Sequence, residues 1–363
     1  MGDNSGGHWK NIAEAQKLTQ SLKIPGVFEE DVKRNNLLER MPVGQAAGTG
    51  LKIEWLREKT TTEDAVVEID IGDQLSWSDD IEYEEKEATL RRVYIQRKLD
   101  KYVQGIYSTY NNYEARVLLE SEKGLKRRLG ARAIYGDTDY GGTPVQFDGL
   151  HALAAEHGTP YTAGSAYDPK NVNGGQAGLS LSLLRVMIDE MKHGADEIIA
   201  PYEIIRRMDA AFQERGFLYT VSGTTQTQNN LAFLTLGYNE LGKRVLFWDA
   251  IPIVRTDYLV REEANTGTGG SANARALYSS GDAQYSLFAI KYGMMMDGEQ
   301  NPGLQFAYGG TEGQGDLYKL VRFPELEDYD AGGIRLVSYG AILLGSSLCL
   351  GRIFDVEDVA ITV

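Results

Sequence analysis

Between Glu63 and Glu87 the chain carries eleven carboxylates, and Lys86 is the only cation among them. The polarity around this run alternates with period two. Leu51, Ile53 and Trp55 precede it, Val67, Ile69 and Ile71 lie inside it, and the apolar return run Leu90–Ile95 follows. Period two is the pattern of strands, so a long antiparallel hairpin is expected over 51–100, with polar residues along both edges. A two-stranded ribbon is marginal alone in water. Repulsion among its carboxylates keeps this one extended and soluble, so a chain built around it is expected to lean on a neighbour. Basic residues follow at Arg91, Arg92, Arg97, Lys98 and Lys101, and again at Lys123, Lys126, Arg127, Arg128 and Arg132. Two readings stand: a solvated hairpin beside ordinary helix faces, or a surface built to meet a basic partner, another copy of the chain being one such partner, with Arg127, Arg128 and Arg132 as candidate cations. Exposed pairs contribute only about 0–1 kcal/mol each, so their effect is collective and falls on encounter rate and register.

At 363 residues the chain can bury a large core without a disulfide or metal staple, and its length suits two domains or one elaborate one. The single cysteine, Cys349, excludes a disulfide framework and any multi-cysteine metal site. A net charge of −15 argues against a nucleic-acid backbone as a directly gripped partner. The N-terminal MGDNSGGHWK has no apolar h-region, so no secretory signal is read there. The most apolar stretch, Leu336–Leu350, is broken by serines and glycines and is too short to span a bilayer; it reads as buried core.

Residues 1–50 read as a polar arm with one amphipathic piece, Ile12–Leu22. Residues 111–135 read as a helix broken by Gly136-Asp137. A second helix is expected over 180–193, capped by Ser180 or Ser182, with Leu184, Met187, Ile188 and Met191 as its stripe and Gly194 as its stop. Next comes a strand, Glu197–Ala200, then Pro201 at a first helical position with Ile204, Ile205, Met208 and Phe212 facing inward. From 217 onward strands dominate, among them Val245–Trp248, Ile251–Val254, Leu287–Tyr292, Leu304–Tyr308, Leu317–Val321 and Ile334–Leu344. The fold class is α+β.

The motifs with chemical connotations fail on inspection. Gly237–Gly242-Lys243-Arg244 nearly spells a phosphate loop, but Arg244 replaces the magnesium-holding hydroxyl and a strand rather than a helix follows. Gly267-Thr-Gly269-Gly270-Ser-Ala272 lacks the strand that a dinucleotide fingerprint requires before it. Asp137, Asp139, Gly142 and Asp148 fit a calcium loop only in part, because Gly141 occupies a ligand position. His151 and His157 are six apart, the wrong spacing for a zinc pair on one helix face, and with His8 and His193 they read as surface or satisfied core histidines. There is no G-x-S-x-G elbow. No catalytic, cofactor-binding or metal-ligating residue is assigned, no cofactor is expected, and the chain is read as a non-enzyme.

The order of segments carries more than any motif. A polar arm precedes a charged hairpin. A helix then leads into Ala133-Ile-Tyr-Gly136-Asp137 and Phe147-Asp-Gly149-Leu150, and further on comes Asp249-Ala-Ile-Pro252-Ile-Val. This order resembles the major capsid proteins of tailed bacteriophages, of the Hong Kong 97 type that encapsulin shells share, from about Asn35 onward. The resemblance implies an N-terminal arm at 1–50 and an extended hairpin loop at 51–100. It further implies a peripheral domain at 101–195 and 331–363 with its long spine helix at about 180–193, and a β-rich axial domain at 196–330. Ala250 stands where many relatives have Gly. No helical scaffolding segment precedes the arm and the chain opens at Met1, from which a separate scaffolding protein, or none, is expected. Lys52, Lys59 and Lys86 lie on the hairpin, and non-covalent assembly is expected.

The resemblance implies a structural subunit that self-assembles into pentamers and hexamers of an icosahedral virion capsid. Its expected partners are its own copies, a scaffolding protein, a portal and a decoration protein, with double-stranded DNA enclosed but not read in sequence, and no membrane; synthesis is expected in the host cytoplasm. An anionic inner wall would not adsorb that DNA. An encapsulin-type compartment is the second reading, and a soluble α+β hydrolase, which needs a carboxylate pair in a pocket, the third. The length and the acidic hairpin favour the virus. One expectation concerns Cys349: its context, Leu348-Cys-Leu350, buries a thiol and raises its pKa. A thiol reagent applied to the native protein is therefore expected to label it only after unfolding.

Overall fold

The computed structural model describes residues 32–46, 52–58, 66–74, 77, 83–107, 113–138, 145–156, 170–218, 234–238, 244–264, 281–296, 301–309, 317–327 and 330–362. The N-terminal half of these holds four strands, β1 (Val43–Ala46), β2 (Lys52–Glu58), β3 (Tyr83–Thr89) and β4 (Arg91–Asp100), then three helices, α1 (Lys101–Tyr107), α2 (Tyr113–Tyr135) and α3 (Leu150–Glu156). There follow β5 (Lys170–Ser180), α4 (Leu181–Glu190), β6 (Glu197–Ala200), α5 (Tyr202–Leu218), β7 (Leu234–Tyr238), β8 (Arg244–Trp248) and β9 (Ile251–Arg255). The chain closes with β10 (Gln284–Ile290), β11 (Leu304–Gly309), β12 (Lys319–Phe323), β13 (Ala331–Leu344) and β14 (Leu350–Thr362).

The strands form three sheets. A seven-stranded sheet runs β5-β14-β10-β6-β9-β8-β7. A five-stranded sheet is organised on β13, which pairs with β4 along one edge and with β11 and β12 along the other, β1 adding in parallel to β11. A small ribbon pairs β2 with β3. Alternation along the central strands of the large sheet feeds two cores. Ile198, Leu287, Ala289 and Ile353 pack with Leu184 and Met187 of α4 and Ile204 and Met208 of α5. Their neighbours Ile199, Phe288 and Ile290 face the other way, toward Leu125, Leu129 and Ala133 of α2 and the buried face of the five-stranded sheet. One sheet thus walls both cores.

The segment that carries the family resemblance has a clear physical role. Gly136 ends α2, and its carbonyl accepts from Gly149 N at 3.0 Å. A Cβ on Gly136 would stand 2.2 Å from the Phe147 carbonyl, and one on Gly149 2.5 Å from the Arg132 carbonyl, so no side chain fits at either position. Asp148 then accepts from Thr138 N at 2.8 Å and Thr138 Oγ1 at 2.6 Å. This carboxylate closes a turn, so the calcium-loop match is a hydrogen-bonded loop end; its positions 139–144 lie outside the described residues.

Several expectations need correction. The long helix is α2, with 23 residues; the helix expected over 180–193 is α4, with ten, and it packs on the seven-stranded sheet. Its apolar stripe is the stronger sequence signal, but the chain turns at Met191 and enters the left-handed region at Gly194. Ser180 stands at its N-cap position without a side-chain cap bond. The boundaries at 195/196 and 330/331 also differ from the sheets. Residues 170–190 and 350–362 join 197–255 in the large sheet and its core, whereas 304–323 joins 91–100 and 331–344 in the other. The expected hairpin is shorter than 51–100. Only β2 and β3 pair with each other, Arg91–Ile95 of the return run pair instead with β13, and Val67, Ile69 and Ile71 lie in irregular backbone. Nor does the arm extend to residue 50. Leu37 and Met41 are core residues, and β1 is a sheet strand.

The near phosphate loop is flanked by β7 and β8, an antiparallel pair; residues 239–243 between them, and the glycine-rich 265–280, lie outside the described residues. The β8–β9 turn places Asp249 at φ 48° and Ala250 at φ 65°, a turn of the mirror-image type that favours glycine. An Ala250→Gly substitution is expected to stabilise the chain by about 1 kcal/mol, the scale of the left-handed penalty for a residue with a Cβ. Urea denaturation measures it as a rise in midpoint at constant slope.

Candidate assembly surfaces

The base of the β2–β3 ribbon is fixed to the body. Ile53, Trp55 and Ala88 lean on the first core, and Arg57 Nε donates to the Gly345 carbonyl at 2.7 Å while its Nη2 donates to the Leu344 carbonyl. The outward face alternates with this one. Lys52, Glu54, Leu56, Glu85 and Glu87 are exposed, and register sets Glu54 opposite Glu87 and Leu56 opposite Glu85. Like charges directly opposite destabilise a ribbon; here Lys52, bound to Glu87, offsets part of that repulsion, and the bond raises the ammonium pKa above its ordinary value. Beyond the ribbon, Val66, Val67, Ile69 and Ile71 are exposed among Glu68, Asp70 and Asp73. An apolar, acidic protrusion of this kind marks an interaction surface. Of the other carboxylates in the run, Glu63, Asp64, Asp79, Asp80 and Glu82 lie outside the described residues, as does Lys59.

The basic residues expected to receive that run sit on α2. Arg128 is exposed, Arg127 is half-buried, and Arg132 Nη1 donates to Gln146 Oε1 at 2.6 Å. Arg132 is thereby engaged within its own chain.

At the seam of the two cores lies a polar cluster that pattern reading missed. Glu262 is 6% exposed. Its Oε1 accepts from Tyr135 OH at 2.9 Å and stands 3.0 Å from His151 Nε2, and its Oε2 accepts from Ser286 Oγ at 2.6 Å. Arg352, 4% exposed, reaches the same Oε2 at 3.4 Å and lies over the Phe288 ring. His151 stacks on Tyr135 with centroids 4.5 Å apart. Burial alone would push the Glu262 carboxyl up, but His151, Arg352 and Ser286 outweigh it and hold the pKa at about 2. Burial and the Glu262 charge raise the Tyr135 phenol well above its usual range, and burial lowers Arg352. His151 is thus a core histidine of a structural staple, closed to substrate. It belongs to helix α3, which no sequence signal announced, and its partner Glu262 is 111 residues away along the chain, so only folding reveals the pair.

Cys349 is fully buried, with its thiol on the Pro302 carbonyl at 2.9 Å and its pKa pushed by burial up to about 12. Among the described residues no group of His, Cys, Asp and Glu is placed to hold a metal ion, and no helix is long and apolar enough to cross a membrane.

Neither a protein-family model nor a curated protein sequence matches the chain. Solved structures do. The SrpI encapsulin complex from Synechococcus elongatus PCC 7942 superposes with a TM-score of 0.59 at 12% identity, covering 98% of this chain and 98% of that one. The capsid of the native GTA particle gives 0.59 at 12% identity over 95% and 98% of the two chains, and the capsid of Myoviridae phage XM1 gives 0.57 at 10% over 94% and 97%. The chain thus superposes on shell proteins over nearly its whole length. The chain has the Hong Kong 97-type capsid fold.

Glu262 also sets an acid limit. Its folded pKa lies below the ordinary carboxylate value of 4.5, so its stabilisation is present above that value and is lost as pH falls toward about 2. Replacing it, as Glu262→Gln, leaves buried Arg352 without its counter-charge and is expected to cost about 3–5 kcal/mol at pH 7. Urea titrations of the purified chain at pH 7 and pH 3 check both points: the gap between the two proteins should narrow at the lower pH.

Proposed function

We propose that the chain is the structural subunit of a phage-type shell, assembling through its own copies into pentamers and hexamers of an icosahedral capsid that encloses double-stranded DNA. The observation that supports this most directly is the end-to-end likeness to shell subunits, over nearly the whole length of both chains in each comparison. The exposed acidic ribbon supplies the physical motive for self-association, since it is anchored at its base and presents apolar side chains to water beyond it. Many modest contacts repeated by symmetry suffice to close a stable shell. A scaffolding protein, a portal and a decoration protein are the further partners that such a shell takes, and the virion is its place.

The encapsulin reading stands second, because the encapsulin gives the same TM-score as the GTA capsid. Negative-stain microscopy of the purified chain is expected to show closed particles on the order of tens of nanometres, the product of many symmetric copies. A monomer or small oligomer at all concentrations would refute both shell readings. The contents of particles recovered from their native source separate the two: duplex DNA supports the capsid, and packed protein supports the compartment.

A further inference from the structure

Strand β5 slips in its pairing partway along. Asn171, Val172 and Asn173 pair in register with Arg352, Ile353 and Phe354 of β14, and pairing resumes at Ala177 opposite Val356. Gly174, Gly175 and Gln176 fall in the slip, with Gly175 at φ 70° and Gln176 at φ 54°. Carbonyls of β14 crowd this point. A Cβ on residue 174 would stand 2.7 Å from the Asp355 oxygen and 2.9 Å from that of Phe354, so no side chain fits there and glycine is required. Asn173 precedes it, exposed, and its Oδ1 accepts from Gly175 N at 2.7 Å. That bond folds the side chain forward along the main chain, toward the Gly174 nitrogen.

We propose that Asn173 is a self-modifying site, which converts to aspartate and isoaspartate through a cyclic imide. The Gly174 nitrogen gives up its proton to hydroxide and attacks Asn173 Cγ. Negative charge collects on Oδ1, where the Gly175 N–H is placed to stabilise an oxyanion. The Cγ–Nδ2 bond then breaks, and Nδ2 leaves as ammonia with a proton from water. Water opens the imide at either carbonyl. Cleavage at Cγ gives aspartate; cleavage at the main-chain carbonyl carbon leaves the chain running through Cγ, as isoaspartate. No oxidant or reductant takes part. The other described asparagines each lack a requirement. Asn36 and Asn171 are buried, with Nδ2 donating to the Lys126 and Ala154 carbonyls. Asn35 Nδ2 is bound to the Arg255 carbonyl, and Asn301 precedes Pro302, which has no N–H. Asp148-Gly149, the chemically nearest pair, has its nitrogen donating to Gly136 and its carboxylate held by Thr138. At Asn173 the product adds a carboxylate to an edge strand of the large sheet. Isoaspartate also adds a carbon to the main chain, next to the slip, where no register has to be kept.

The test incubates the purified full chain, folded in buffer and unfolded in guanidinium chloride, at pH 6 and pH 8, and follows its peptides by mass. The peptide holding residue 173 is expected to gain the mass difference between a hydroxyl and an amide NH2, with isoaspartate localised to that residue by electron-transfer fragmentation. The folded chain should convert there at least as fast as the unfolded one, because the fold supplies the donor at Oδ1. Asn36 and Asn171 should convert only in the unfolded chain. Conversion should speed up by about tenfold or more between the two pH values, since the deprotonated fraction of a weak acid rises with pH. Asn173→Gln, whose extra methylene disfavours ring closure, is expected to lose the product. A folded chain that keeps Asn173 while the unfolded one converts it overturns the inference, because the fold then protects the site. Aspartate without isoaspartate overturns it too, as the mark of direct hydrolysis without the imide. Neither outcome touches the shell reading, and a failure to form closed particles leaves this chemistry standing.

Discussion

The central strands of the seven-stranded sheet have no spare face. Every residue of β6 and β10 is buried, and alternation sends Ile198, Leu287 and Ala289 into one core and Ile199, Phe288 and Ile290 into the other. A half that shares its wall cannot move alone without opening a core. The polar residues at this seam follow from the same constraint. Ser286 and Arg352 project on the face of Phe288, and a cation there must be answered within the protein; Glu262 answers it, and Tyr135 and His151 tie in the end of α2 and the start of α3. The N-terminal segment crosses the seam as a second tie. Asn35 donates to the Arg255 carbonyl at 2.6 Å, Arg40 binds Glu197 on β6, and β1 then joins the other sheet.

How much of this was legible in the sequence depends on whether the deciding contact was local. The strand–Pro–helix unit at 197–212 and strands β8, β9, β11 and β13 follow from period and turn chemistry; the structure keeps the strands within a residue or a few and runs the helix on to Leu218. The long helix was underweighted because α2 is charged on most of its surface, and only the four-residue spacing of Ser121, Leu125, Leu129 and Ala133 betrays its buried stripe. β5 escaped notice because Asn171, Asn173, Gly174 and Gly175 carry little strand propensity. Its partner β14 overrides that, pairing in parallel across a shift in register. The partner of Leu90–Ile95 was assigned to the nearest alternating run, whereas the true one, β13, lies some 240 residues on, and no local pattern encodes that choice. The ribbon was legible as an interaction surface because its composition alone forbids a self-sufficient structure. The polar seam was not, since Glu262 in sequence is one carboxylate among 52 Asp and Glu.

The subunit therefore divides its stability and its interaction surfaces between different places. Its interior is over-determined, with a sheet shared by two cores and a buried ionic staple, and its protrusion is under-determined beyond the Arg57 anchor. That division suits repeated self-association. A rigid base fixes the direction in which the acidic segment leaves the body, which limits the orientational search that slows protein docking. Under the proposed shell reading, Glu68, Asp70 and Asp73 would keep the exposed Val67, Ile69 and Ile71 soluble before assembly. Because an exposed ion pair is weak, charge alone would tolerate many registers between copies, and burial of such aliphatics would be what makes one contact persist over the others.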